Sequence, residues 1–153
     1  ETRAKGRLET MMLTSRGNVA EATADNTFLV LKGAGWESDP SKVTLHTPVG
    51  EYCLVGITRN RIIDNARAKG FQVVERDDLL PIDFVGPDRE SFMTGTGCGL
   101  MPVVGLEGVP VGDGTPGPVT RALLESIQAD MRNPENGLSI HASRDDLSRY
   151  IAG

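Results

Sequence analysis

Two glycine corners and one embedded carboxylate carry most of the chemistry open to this sequence. The first corner is Leu54-Val55-Gly56-Ile57-Thr58-Arg59, where the apolar, strand-like stretch Tyr52, Cys53, Leu54 and Val55 passes through one glycine into a helical pattern. A glycine turn that opens a helix leaves backbone N–H groups free at the positive end of the helix dipole. Thr58 adds a hydroxyl in the first turn. Such a corner suits an anion, phosphate being the commonest; an ordinary strand-to-helix turn is the alternative. The second corner, Thr94-Gly95-Thr96-Gly97, also follows an apolar strand and offers N–H groups and hydroxyls. Its G-x-G spacing leads into a strand and not a helix, which counts against a dinucleotide fold. One phosphate held by both corners accounts for the pair. Glu21 lies between strands among small residues, where a flat ring could approach the backbone and the carboxylate could face a cationic nitrogen. A surface acid at a hairpin end is the alternative there.

The elements that must position these groups follow from local pattern. Residues 8–13 and 19–24 form a hairpin over the turn signature Ser15-Arg16-Gly17-Asn18, and residues 27–31 form a nearly continuous apolar strand. Residues 32–42 read as an exposed loop and 43–47 as an alternating strand. The helix after Gly56 is expected to carry Ile57, Ile62, Ile63 and Ala66 on one side and Arg59, Asn60, Arg61, Asp64 and Arg67 largely on the other, ending at Gly70. A strand at 71–74 follows, then a short helix through Leu79 and Leu80 capped by Asp77-Asp78. Residues 91–94 and 100–104 are strands, the second at an edge or bend because it contains Pro102. Val109-Pro110-Val111 closes a small hairpin over Glu107-Gly108. Pro118 opens a helix to about Met131, with Val119, Leu123, Leu124 and Ile127 at helical spacing. Residues 4–6 read as a helix end, and Ser143 as the cap of a last helix bearing Leu147, Tyr150 and Ile151. With no internal repeat and no dividing linker, one α/β domain is expected.

The 153 residues suffice for a single domain that buries roughly two-thirds of its unfolded surface. Plentiful glycine and few aromatics suit a globular α/β domain with tight turns. A net charge of −5 argues against a nucleic-acid surface. No apolar run approaches membrane-spanning length. Cys53 and Cys98 fit neither a disulfide framework nor a metal spacing, and His46 and His141 have no partner motif. No metal site is therefore expected, and a reducing, cytoplasmic setting is the default. The chain starts at Glu1 and reads as the middle of something longer, so organellar targeting stays open.

Taken in order, Gly17-Asn18-Val19-Ala20-Glu21-Ala22, Asn26-Thr27-Phe28, Thr47-Pro48, Leu54-Val55-Gly56-Ile57-Thr58-Arg59, Phe92-Met93-Thr94-Gly95-Thr96, Pro102-Val103 and Gly117-Pro118-Val119-Thr120 resemble the class IV pyridoxal-phosphate aminotransferases. That group includes the branched-chain aminotransferases, the D-amino acid aminotransferases and aminodeoxychorismate lyase. The resemblance runs from about Ala4 to Ile127. It implies the C-terminal, larger domain of a fold-type-IV enzyme, a pseudo-barrel of strands with flanking helices. It further implies pyridoxal 5'-phosphate as cofactor, an amino acid and a 2-oxo acid as partners, and a homodimer at full length. Glu21 would pair with the pyridine nitrogen and Leu54 would pack on the ring. At the Gly56 corner, Ile57 and Thr58 would give N–H groups to the phosphate, and Thr96 its hydroxyl and N–H. Thr96 and Gly97 would lie near the substrate carboxylate, and Asn26 would be a structural hydrogen-bonding residue beside the site.

The sequence departs from the family at Val55, where proline is usual, at Gly97-Cys98, where alanines are common, and in a longer loop over residues 32–42. Family members also form a Schiff base with a lysine that precedes the Glu21 equivalent by more residues than this chain has. Lys5 is too close, and Lys32, Lys42 and Lys69 come after. The small N-terminal domain and its lysine are therefore expected to be absent and the chain inactive alone, with an apolar face uncovered near Leu54 and Leu100. Apolar Leu54, Leu100 and Met101 point toward a branched-chain substrate. A lyase-like enzyme, or a non-catalytic domain that keeps the fold and a phosphate cup, are the alternatives; intact Glu21, Thr58 and Thr96 favour the enzyme.

Overall fold

The computed structural model describes residues 9–136. The expectations placed on residues 4–6, His141 and the last helix lie outside them. The chain opens with a hairpin of β1 (Met11–Leu13) and β2 (Val19–Ala22), turned at Gly17 with φ 84° as the glycine signature requires. Next come β3 (Asn26–Lys32), β4 (Val43–Pro48), α1 (Ile57–Ala68), β5 (Gln72–Arg76), β6 (Arg89–Gly95) and β7 (Gly99–Val103). A small hairpin of β8 (Gly105–Leu106) and β9 (Val109–Pro110) leads to α2 (Pro118–Arg132).

Five strands form one mixed sheet in the order β5-β4-β3-β6-β7. Only β4 and β5 run parallel in it, as their connection through α1 demands. Pro102 lies in β7, at the edge, where a strand can spare an N–H donor. Alternation along the strands divides the core. Phe28, Val30, Val43, Leu45, Phe92 and Leu100 face the helices and meet Ile62, Ile63, Ala66, Val119, Leu123 and Ile127. Phe28 and Phe92, directly paired across β3 and β6, stack with centroids 4.9 Å apart. Leu29 turns to the other face and packs with Val19, Leu79 and Phe84. No helix among the described residues is long and apolar enough to cross a membrane.

Four expectations are corrected. Residues 52–55 form no strand: after β4 the chain turns back, with Tyr52 N–H on the Val49 carbonyl at 3.0 Å. Ile57 is 86 % exposed and Arg59 is 2 % exposed, the reverse of the expected sides. The reason is helical arithmetic, since Arg59 heads the i, i+3, i+4, i+7 set with Ile62, Ile63 and Ala66, whereas Ile57 points the opposite way. Asp77-Asp78 cap nothing helical; Asp78 pairs with Arg76, and a single turn begins later, at Pro81–Phe84, closed by Asp83 onto the Leu80 N–H at 2.9 Å. Leu100, expected at an uncovered apolar face, is 3 % exposed and belongs to the core under α2.

Candidate functional site

Leu54 is gripped from both ends of its backbone. Its N–H donates to Glu21 Oε2 at 3.0 Å, and its carbonyl accepts from Asn26 Nδ2 at 2.6 Å. Glu21 in β2 and Asn26 at the start of β3 flank one tight turn, which the Ala22 N–H closes onto the Asp25 carbonyl at 2.7 Å. The Leu54 side chain is left 77 % exposed. Two residues on, a Cβ at Gly56 would come within 2.5 Å of Asn26 Oδ1, while φ is an unremarkable −72°. Glycine is therefore needed here for close approach and not for a left-handed turn.

Among the described residues no side chain caps the N-terminus of α1, so the N–H groups of Ile57 and Thr58 find no side-chain acceptor there. Arg59, in the same first turn, donates through its Nη2 to the Pro48 carbonyl at 2.9 Å and to Glu75 Oε2 at 2.7 Å. Its Nε is buried without a hydrogen-bond partner among the described residues. Uncapped donors and the helix dipole together make this end of α1 attractive to an anion, while the Arg59 charge is taken up by Glu75. Cys53 lies just before, its thiol directed at the Pro48 and Val49 carbonyls, and burial pushes its pKa up.

The second corner is the turn between β6 and β7. Asn26 is in register with Thr94 across β3 and β6, so one residue joins this corner to the first. Thr96, Gly97 and Cys98 are exposed, and Thr94 Oγ1 is buried without a partner among the described residues. The Asp25 carboxylate rests on Gly95, and Cys98 Sγ donates to Asp25 Oδ1 at 3.4 Å. Partial desolvation, then that hydrogen bond and the Asp25 charge, raise the pKa of the Cys98 thiol.

A cavity of about 300 Å³ opens on the sheet face opposite the helices, lined by Glu21, Thr27, Ser91, Met93 and Met101 among others. Of the residues singled out from sequence, Glu21 and Met101 line it, whereas Leu54, Gly56, Ile57, Thr58, Thr96 and Gly97 belong to the two corners and do not. Met101 lines the cavity, as an apolar pocket residue should, but Leu100 does not. Sequence reasoning missed Arg59, which its helical spacing could have revealed, and Asp25, which only the register opposite Gly95 reveals. Among the described residues no group of His, Cys, Asp or Glu could hold a metal ion.

The amino-transferase class IV family model matches residues 1–106, and the chain belongs to that family. It is 35 % identical over 122 residues to the branched-chain-amino-acid aminotransferase of Pseudomonas aeruginosa, a stretch covering 77 % of this chain and 34 % of that protein. The branched-chain-amino-acid aminotransferase of Escherichia coli (strain K12) is 32 % identical over 127 residues, with 83 % of this chain and 38 % of its own covered. The chain thus spans a little over a third of the length of these relatives. The crystal structure of the Thermobaculum terrenum branched-chain amino acid aminotransferase in its PLP form matches with a TM-score of 0.72 at 27 % identity. It covers 88 % of this chain and 41 % of its own. The α/β fold is that of the fold-type-IV branched-chain aminotransferases.

Proposed function

We propose that this chain is the C-terminal, cofactor-binding part of a pyridoxal-phosphate-dependent aminotransferase. It moves an amino group between an amino acid of the branched-chain class and a 2-oxo acid. The observation that carries this reading is the grip of Glu21 and Asn26 on Leu54, beside an uncapped helix N-terminus with a buried arginine in its first turn. Those groups fit the cofactor: Ile57 and Thr58 N–H groups, with the Thr96 hydroxyl and N–H, would hold the phosphate, and exposed Leu54 would cover the ring. When bound, the protonated pyridine ring supplies an electron sink for charge developing on the substrate α-carbon. Glu21 holds the proton on the ring nitrogen, its Oε2 already oriented by the Leu54 N–H. Thr96 and Gly97 receive the substrate carboxylate, and Met93 and Met101 give the cavity an apolar wall.

The Schiff-base lysine is supplied by a small N-terminal domain, a division supported by the share of each relative that the chain covers. Lys32 is not the candidate, because its Nζ pairs with Glu90 at 2.8 Å and lies over the Trp36 ring. The full-length enzyme acts as a homodimer on small molecules.

Titrating the chain with pyridoxal phosphate tests the cup, and Glu21→Gln tests the chemistry. Glutamine keeps an acceptor for Leu54 but loses the charge. Cofactor affinity should stay near wild type, while transfer by the polypeptide that includes the lysine domain drops at least ~100-fold. An undiminished turnover number in that variant sinks the assignment of Glu21. Borohydride reduction of the chain with pyridoxal phosphate should leave no lysine stoichiometrically labelled.

A further inference from the structure

Asp25 stands between the two corners and belongs to neither. It is half-buried in the turn between β2 and β3, directly before Asn26. Its carboxylate lies where a Cβ on Gly95 would sit, and Oδ1 accepts the Cys98 thiol at 3.4 Å. The same thiol lies 3.8 Å from the Gly95 carbonyl. On the other wall Asn26 holds the Leu54 carbonyl at 2.6 Å and occupies the space above Gly56. Two consecutive side chains thus press on the two glycines that shape the two corners. Their own backbone is fixed by the bond from Ala22 and by the register of Asn26 with Thr94.

The segment that Asp25 touches needs such a hold. Between β6 and β7 the chain runs Gly95-Thr96-Gly97-Cys98-Gly99, and the three residues from Thr96 to Cys98 are exposed. Alternate glycines give the turn little stiffness of its own. Donors that bind an anion well must already be in place when it arrives, since ordering them afterwards costs conformational entropy. The thiol-to-carboxylate bond and the close seat on Gly95 tie this segment to the turn that joins Glu21 of β2 to Asn26 of β3.

We infer that Asp25 is a positioning residue for the second corner, setting Thr96 and Gly97 at a fixed distance from the N-terminus of α1. The inference rests on the reading above, in which both corners hold one phosphate. Asp25 makes no contact with the cofactor in this role; it acts through Gly95 and Cys98.

Three chains, wild type, Asp25→Ala and Asp25→Asn, are titrated with pyridoxal phosphate. In parallel, Cys98 is alkylated with iodoacetamide and its labelling rate compared with that of Cys53 by peptide mass analysis. Asp25→Ala should weaken pyridoxal phosphate binding by about tenfold with the thermal midpoint little changed, the size expected for one lost charge-assisted contact. It should also speed Cys98 labelling relative to Cys53, because the group that favours the protonated thiol has gone. Asp25→Asn keeps shape and an acceptor oxygen and should restore affinity to within about threefold. Gly95→Ala should weaken binding on its own, yet add nothing further to Asp25→Ala, since the two changes break one contact. Equal affinity in wild type and Asp25→Ala, or additive losses in the double variant, overturns the inference and leaves the reading of the site standing. Absence of binding by the wild-type chain overturns that reading, and the inference with it.

Discussion

At Gly56 a single methyl group is enough to disturb the site. The added carbon would meet Asn26 Oδ1 at 2.5 Å, so Gly56→Ala should cost about 1–3 kcal/mol by overpacking. Urea unfolding measures it, and a midpoint unchanged from wild type would show that Asn26 yields freely. His46 gives a pH signature of its own. It is half-buried in β4 with Nδ1 unpaired among the described residues, and burial first, then the Arg76 charge, hold its pKa below the usual imidazole range. The unfolded chain therefore takes up this proton before the folded one does. The contribution is fully present above about pH 6.5 and is lost as pH falls through the depressed folded value. The thermal midpoint should fall on acidification below neutrality, and more steeply in wild type than in His46→Gln; parallel curves would assign the slope to other groups. How much of the site could be read at this scale varied with the range of the signal. Glu21, Gly56 and Thr58 stand in local patterns that announce a turn and a helix start. Asp25 carries no such pattern, because its partner Gly95 is brought to it only by the pairing of β3 with β6.

Helix α2 begins without a cap of its own and takes one from another element. Glu90 of β6, 3 % exposed, accepts from the Thr120 N–H at 2.7 Å and the Val119 N–H at 3.3 Å. Its Oε1 also pairs with Lys32 of β3 at 2.8 Å, and Gly117 leaves room for the carboxylate. Glu90→Ala would strand two helix donors and an ammonium together, at a cost of about 3–5 kcal/mol. Thermal unfolding checks this, and a loss under about 1 kcal/mol would mean that water replaces the carboxylate without penalty. The hairpins, both long helices and the edge position of β7 are legible in the sequence, since glycine or proline marks a turn, an end or a ladder position of each. The segment at 52–55 misled because four apolar residues in a row resemble a strand. The Leu54 N–H and carbonyl are in fact satisfied by the side chains of Glu21 and Asn26, and no local rule reports a partner so far back in the chain. The cap on α2 was hidden for the same reason.

Across the whole molecule, the exposed apolar side chains Leu54, Val55 and Ile57 gather at the first corner, at 77 %, 53 % and 86 % exposure. The uncovered face expected from sequence is real there, although Leu100 takes no part in it. The order of strands also sets the order in which the sheet assembles. About ten residues separate β3 from β4, but more than fifty separate β3 from β6. Closing the longer loop costs about 1.5 kcal/mol more in chain entropy, so the β3–β4 pair and the crossover through α1 should assemble first. The seam between β3 and β6 then zips late, and that seam is what carries Asn26 to Thr94. Val43→Ala should slow refolding, while Phe92→Leu should chiefly speed unfolding; a chevron with both effects on the same limb would refute this order. A phosphate-bearing ligand that bridges the two corners grips contacts formed after the barrier, and so lengthens the lifetime of the folded chain without hastening its formation.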